Sequence, residues 1–334
     1  MQKPHSSKMS GVSLDQPREF SREGKPRDKG ITIVSDSFRA LDKELLSASS
    51  EFVDVVKIGQ SLPLLLDRSK LLERIRFYHD LGIRVSSGGT LIQVALKKRI
   101  VSQTLEKLRS LGFDIVEISE SAGDMTGESK REILNQISKL SMDFIFEVGK
   151  KDPRHPLSTA YMISKIQEAL ELKSPKVIIE AGLEGAGVGF YDSNGEVSWD
   201  SLNEIVGRFG PPSLIFEAPK ISQRTSLILE FGPNVNLASV PVSDILLLEM
   251  QRLGITTETL GVSPSTQSVE GSPAVKFIYH LIRTEHPVDQ PTLIQKSGLP
   301  KRTMQAALSY LVEKGFVREV SDLSDLRKHK YTPR

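Results

Sequence analysis

Residues 31–58 read ITIVSDSFRALDKELLSASSEFVDVVKI, and their rhythm decides the fold. A β-branched run at 31–35 is followed by a longer mixed stretch and then by a second apolar run at 53–58. Short apolar runs alternating with helical patterns mark βα units on a parallel sheet. The rhythm continues outward, with further runs at 83–86, 115–119, 144–148, 177–180, 214–217 and 235–237. Amphipathic segments lie between them, such as LLERIRFYHDLG (71–82), VSQTLEKLRSLG (101–112) and REILNQISKLS (131–141). In the first of these Leu71, Leu72, Ile75, Tyr78 and His79 recur at helical spacing. Eight strands, each followed by a helix, in about 230 residues match the size of a (β/α)8 TIM barrel. A doubly wound open sheet is the structural alternative. It would carry a Gly-rich fingerprint after its first strand, and GITIVSDSFR (30–39) has none.

The chain has 334 residues, enough for such a barrel and one small further module. Residues 1–29 are dominated by Pro, Gly, Ser and charges and read as a flexible lead without an apolar leader segment. The barrel is expected over 30–261, a Ser/Pro/Thr-rich linker over 262–272, and a separate module over 273–334. Charged residues make up 26% and apolar residues 38%, which suits a sizeable core. There is no cysteine, so disulfides, thiolate nucleophiles and Cys-based metal sites are excluded. That composition fits a cytoplasmic protein. No apolar run approaches the ~20 residues of a membrane span. HExxH, GxSxG and Walker A motifs are also absent.

In a TIM barrel the reactive groups sit at the C-terminal ends of the strands. Those ends carry Asp36, Lys57, the Gly88-Gly89-Thr90 loop, Glu117, Glu147 with Lys150 and Lys151, Glu180, Glu217 and Asn236. Each acid alone could cap a helix or pair with a lysine. Together they form a ring suited to a hard cation held by oxygen ligands, and Mg²⁺ fits best. Asp36, Glu117, Glu180 and Glu217 are the expected metal ligands. A lysine in the mouth would bind an anion or shuttle a proton. The Gly-rich SSGGT (86–90) and GLEGAGVG (182–189) loops could bring backbone N–H groups close to an anion.

The tail differs in character. Residues 272–334 hold 11 Lys and Arg against 6 Asp and Glu, an excess of +5, whereas residues 1–271 hold 33 against 36, or −3. A helix is expected over AVKFIYHLIRTEHP (274–287), then helix, turn, helix through DQPTLIQKSGLPKRTMQAALSYLVEKG (289–315). FVREV and KHKYTPR would form a two-stranded wing. In the last helix Met304, Ala307, Leu308, Leu311 and Val312 make an apolar stripe. Arg302, Gln305 and Ser309 lie on the opposite face, with Lys301 at the helix start. GLPKRTMQAALSYLVEKGFV resembles winged helix-turn-helix regulators. The resemblance implies DNA contacts through Lys301, Arg302, Gln305, Ser309 and, on the wing, Lys328. A helical module for protein contact is the other reading of this segment.

The strand-end segments GKPRDKGITIVSD, VDVVKIG, SSGGTL, GFDIVEIS, FEVGKKD, VIIEAGLEGAGVGFYD, LIFEAPK and FGPNVNLASV occur in the order seen in the phosphosulfolactate synthase family. The resemblance covers about residues 25–261. It implies a Mg²⁺-dependent barrel that adds sulfite to phosphoenolpyruvate on the way to coenzyme M. By matching motif it carries over Lys150, Lys151, Glu147, Glu180, Glu217 and Asn236, with catalytic roles for Lys150, Lys151 and Glu147 and a substrate contact for Asn236, to which the strand-end reading adds Lys57, Gly88 and Gly89. A homo-oligomer is expected. Gly182, Leu183 and Glu184 depart from the family's usual Arg-Glu-Ser after VIIE, and Gln93 replaces an acid. The alternative is a small-anion-sensing DNA-binding regulator whose barrel has lost turnover.

Overall fold

A computed structural model describes residues 23–151, 157–182, 184–260, 262, 271–285, 287–322 and 325–333. The chain divides into two units, residues 1–264 and 265–334.

The first unit is a closed barrel of eight parallel strands in chain order, each hydrogen-bonded to the next and β8 to β1. Its elements are β1 (Thr32–Asp36), α1 (Lys43–Ser49), β2 (Val55–Ile58), α2 (Leu62–Leu65), α3 (Arg68–Asp80), β3 (Arg84–Ser87), α4 (Thr90–Lys97), α5 (Val101–Leu111), β4 (Ile115–Ser119), α6 (Gly127–Lys139), β5 (Asp143–Val148), α7 (Thr159–Glu171), β6 (Val177–Ile179), α8 (Trp199–Phe209), β7 (Leu214–Glu217), α9 (Ile221–Phe231), β8 (Leu237–Pro241) and α10 (Ile245–Arg252). Side-chain caps start several helices where the sequence changes character. Asp67, Thr126 and Ser158 each accept a backbone N–H in the first turn, satisfying donors that the helix itself leaves open. The strand at 235–237 is displaced: β8 begins at Leu237, so Asn236 precedes it.

The strands alternate between two cores. Ile33, Val55, Ile145, Ile178, Ile215 and Ala238 form a small cluster inside the barrel. Their strand neighbours Val34, Val56, Phe146, Ile179 and Phe216 belong to the larger core, which also takes in helix residues such as Leu71, Leu105 and Ile166. One step further along the inward set come Lys57, Glu117, Glu147, Glu180 and Glu217, all buried. Side-chain parity on the strands therefore selects the members of the acidic ring.

Within the stretch expected as a lead, Lys25 Nζ donates to the carbonyls of Ser50, Val53 and Gly82 at 2.9–3.0 Å, and Arg27 pairs with Asp54 at 3.1 Å. Residues 1–22 lie outside the described part, as does most of the expected linker. No described helix is long and apolar enough to cross a membrane.

The second unit runs α11 (Pro273–Glu285), β9 (Val288–Asp289), α12 (Gln290–Ser297), α13 (Lys301–Glu313), β10 (Val317–Asp322) and β11 (Asp325–Pro333). Its sheet has the order β10-β11-β9 and is antiparallel throughout. Ile278, Ile282, Leu293, Met304, Leu308, Leu311 and Val317 build its own core. Gly298, left-handed at φ 62, closes α12 and allows the turn to α13. The two-residue β9 was not foreseen. It is too short to leave a pattern.

Candidate active site

Four buried carboxylates and two lysines meet at the C-terminal mouth of the barrel. Lys57 Nζ, on β2, lies 3.0 Å from Glu117 Oε2, 3.3 Å from Glu147 Oε2 and 2.8 Å from Glu217 Oε1. Lys151 reaches in from the loop after β5, with Nζ 2.6 Å from Glu180 Oε2 and 3.5 Å from Glu147 Oε1. Backbone amides fix the acids from outside: Gly89 N–H donates to Glu117 Oε1 (2.8 Å), Ala181 N–H to Glu217 Oε2 (3.1 Å) and Gly182 N–H to Glu180 Oε1 (2.8 Å). Gly149 allows this crowding. A Cβ there would meet Glu180 Cβ at 2.3 Å, and its φ of +142 disfavours any other residue.

Burial pushes the Glu117 carboxyl up to about 8, with Glu147 adding to the effect and Lys57 opposing it. Burial, then Glu147 and Glu217, also raises Glu180 well above the usual carboxylate range. Glu147 goes the other way. Burial would raise it, but Lys151 and Lys57 outweigh that and hold it low. Glu217 is lowered for a similar reason, burial being overcome mainly by Lys57. Lys57 and Lys151 are both raised, since their carboxylate neighbours overcome burial. Two acids are shifted up and two down around the two ammonium groups. Isolated charges in such a site would be prohibitive.

One oxygen each from Glu147, Glu180 and Glu217 lies within 4.8 Å of the others, a spacing that a metal ion could bridge. Glu117 Oε2, Glu147 Oε1 and Glu180 Oε2 receive no properly directed hydrogen bond, despite the nearby Lys57 and Lys151. Oxygen-only donors with unsatisfied lone pairs fit a hard divalent cation.

Not every expected residue joins this cluster. Asp36 has the outward parity of Val34 and faces the helices. It accepts from Arg74 at 2.8 and 3.0 Å, Tyr78 Oη at 2.7 Å and Phe38 N–H at 2.7 Å, which corrects its expected place among the metal ligands. Asn236 is corrected as well. It sits at the opposite end of the barrel, accepting from Ile31 N–H (3.0 Å) and donating to Leu214 O (2.9 Å), because β8 starts after it. Gly88 and Gly89 lie at the mouth, but their amides are committed to Ile58 O and Glu117 and are not turned toward an anion. Lys57 is enclosed by acids rather than open to a substrate. Lys150 lines a small cleft with Glu147, Glu120, Asp124, Tyr161 and Lys165. Sequence reasoning missed Ser239, whose Oγ donates to Glu217 Oε1 at 2.8 Å.

On the second unit Lys301, Arg302, Gln305 and Ser309 are all exposed on α13, opposite buried Met304, Ala307, Leu308 and Leu311. The side chain of Lys328 lies outside the described residues.

A closed parallel barrel that turns charged side chains from successive strands into its C-terminal mouth has the architecture of a (β/α)8 enzyme. Residues 20–258 match the family model described as (2R)-phospho-3-sulfolactate synthase (ComA), and the chain belongs to this family. It is 33% identical over 244 residues to phosphosulfolactate synthase of Methanothermobacter thermautotrophicus, covering 72% of this chain and 95% of that one. It is 32% identical over 258 residues to the synthase of Bacillus subtilis, covering 75% and 99%. A more distant relative is the Arabidopsis thaliana protein HEAT-STRESS-ASSOCIATED 32, 25% identical over 253 residues, covering 69% and 88%. The second unit lies beyond the matched residues. These relatives support the synthase over a barrel that only senses.

Proposed function

We propose that the barrel is a phosphosulfolactate synthase, a C–S bond-forming lyase that adds sulfite to phosphoenolpyruvate. The observation that carries this reading is the ring of Glu117, Glu147, Glu180 and Glu217 around Lys57 and Lys151, at the mouth of a barrel from that family. In the addition, the sulfur lone pair forms a bond to the methylene carbon of phosphoenolpyruvate. The double-bond electrons move onto the carbon that bears phosphate and carboxylate. A proton delivered to that carbon completes (2R)-phospho-3-sulfolactate.

Lys151 is assigned as the proton donor. Its side chain is 30% exposed, so it can meet a substrate, and its acidic neighbours keep it protonated. Glu147, Glu180 and Glu217 would hold Mg²⁺, which when bound supplies charge to stabilise the electron density developing on the substrate carboxylate. Lys57 holds the three facing carboxylates together. Lys150, in a cleft lined by Lys165 and Tyr161 and also by Glu120 and Asp124, would face the anionic end of the substrate. Incubation with phosphoenolpyruvate, sulfite and Mg²⁺ should give phosphosulfolactate by mass spectrometry, and omission of sulfite should abolish it. A folded sample yielding no product rejects the reaction. Exposed Leu246 and Met250 on α10, and exposed Ile221 on the contacting α9, support a second copy of the chain as partner.

For residues 265–334 the same proposal includes a winged helix-turn-helix that binds duplex DNA. The order α11, β9, α12, α13, β10, β11 supports it, as do the sheet order and the polar face of α13. Arg302 and Gln305 would read base edges, and Lys301 and Ser309 would touch phosphate or sugar. Lys328 enters from its place on β11. Binding of the full chain to a mixed-sequence duplex should weaken steeply with salt. Arg302→Ala should reduce it. Affinity untouched by that change would remove the recognition role from α13.

A further inference from the structure

We infer that Ser239 is a positioning residue for Glu217, turned to that task by a bulge in β8. Ala238 packs in the inner cluster with Ile33 and Ile215, so strand alternation would send the next side chain outward. Ser239 nevertheless donates to Glu217 Oε1 inside the mouth, at 2.8 Å. The register gives the cause. Thr32 pairs with Leu237 and Val34 with Val240, so β8 uses one more residue than β1 over this stretch. An extra residue of this kind bends the strand and re-aims a side chain.

The backbone carries a penalty for it. Ser239 has φ +58, a left-handed conformation that glycine adopts far more readily than serine. Arg99, Ser141 and Lys173 share that conformation, but each lies two residues past the end of a helix, where it is ordinary. Among the described residues Ser239 is the only non-glycine residue with positive φ inside a strand. A residue that only had to form the bulge would better be glycine. The hydroxyl is what serine adds. It meets the same Glu217 oxygen that faces Lys57 at 2.8 Å, while Ala181 N–H holds the other oxygen at 3.1 Å. Glu217 is thereby oriented from β2, from the segment after β6 and from β8. Orientation of a reactive carboxylate by such surrounding donors sets its efficiency.

This inference rests on the synthase reading, and Ser239→Gly and Ser239→Ala test it in the full chain. Both variants should lower kcat about tenfold, or ~1.4 kcal/mol, with KM for phosphoenolpyruvate little changed. Ser239→Gly should melt at the wild-type temperature or a few degrees higher, since it relieves the left-handed conformation. A wild-type kcat in Ser239→Gly overturns the inference, because a purely structural serine is replaced by glycine without loss. Should wild-type protein form no product, the synthase reading fails by itself. Crystal structures of wild type and Ser239→Gly then decide the role of Ser239: a rotated Glu217 carboxylate supports it, and an unmoved one overturns it.

Discussion

At the N-terminal end of the barrel Lys25 and Arg252 meet backbone carbonyls and Arg27 pairs with one carboxylate, whereas at the C-terminal mouth Lys57 and Lys151 each meet several carboxylates. Fully buried Arg252 donates to Pro233 O and, at 2.7 Å, to Val235 O, and Lys25 ties three carbonyls. Asn236 bridges Ile31 and Leu214. These groups stitch chain segments together and leave their charge no mobile role. At the mouth, six ionisable side chains share one volume, their protonation states depend on one another, and three carboxylate oxygens lack directed donors. At the first end Lys25, Arg252 and Asn236 are held by fixed partners. The other has a surplus of acceptors that a ligand can satisfy. The same fold thus separates stability from chemistry by strand direction.

Three substitutions would sharpen or break that contrast. The largest effect is expected at the mouth, from Lys151→Ala. Loss of a proton donor should cut kcat by about 10²–10⁴-fold, and loss of a counter-ion to Glu147 and Glu180 should lower the melting temperature as well. A kcat close to wild type would return the proton to another group. Next comes Lys57→Met, which strands Glu117, Glu147 and Glu217 beside one another. It should destabilise the barrel by about 3–5 kcal/mol in urea unfolding and also abolish turnover. Stability equal to wild type would show that the acids shed their charge without Lys57. The smallest effect is expected at the opposite end. Asn236→Ala leaves a buried N–H and a buried carbonyl without partners, a cost of about 1–3 kcal/mol, yet kcat per folded molecule should stay within about twofold. A large kcat loss there would break the division between the two ends.

Much of the mouth was legible from the residue types at strand ends. Glu117, Glu147, Glu180, Glu217, Lys57 and Lys151 do converge. Asp36 was misplaced because strand-end position was read without parity, although Ile33 and Val34 already carry the alternation that separates inward from outward. Asn236 was misplaced because an apolar run cannot show where a strand starts to within two residues. Ser239 left no trace, because a bulge reverses the alternation on which sequence reading depends.

The repeating β-branched and helical pattern determined the eight-stranded barrel, the change of character near the linker and the identity of most acids in the ring. These follow from local periodicity, which the chain carries residue by residue. Tertiary structure alone decided which polar residues face one another, that Lys57 is enclosed rather than open, that Lys151 pairs with Glu147 and Glu180, and that a serine on the eighth strand reaches the seventh. Those outcomes depend on closure and register between strands far apart in sequence, where one extra residue is enough to turn a side chain from one face of the sheet to the other.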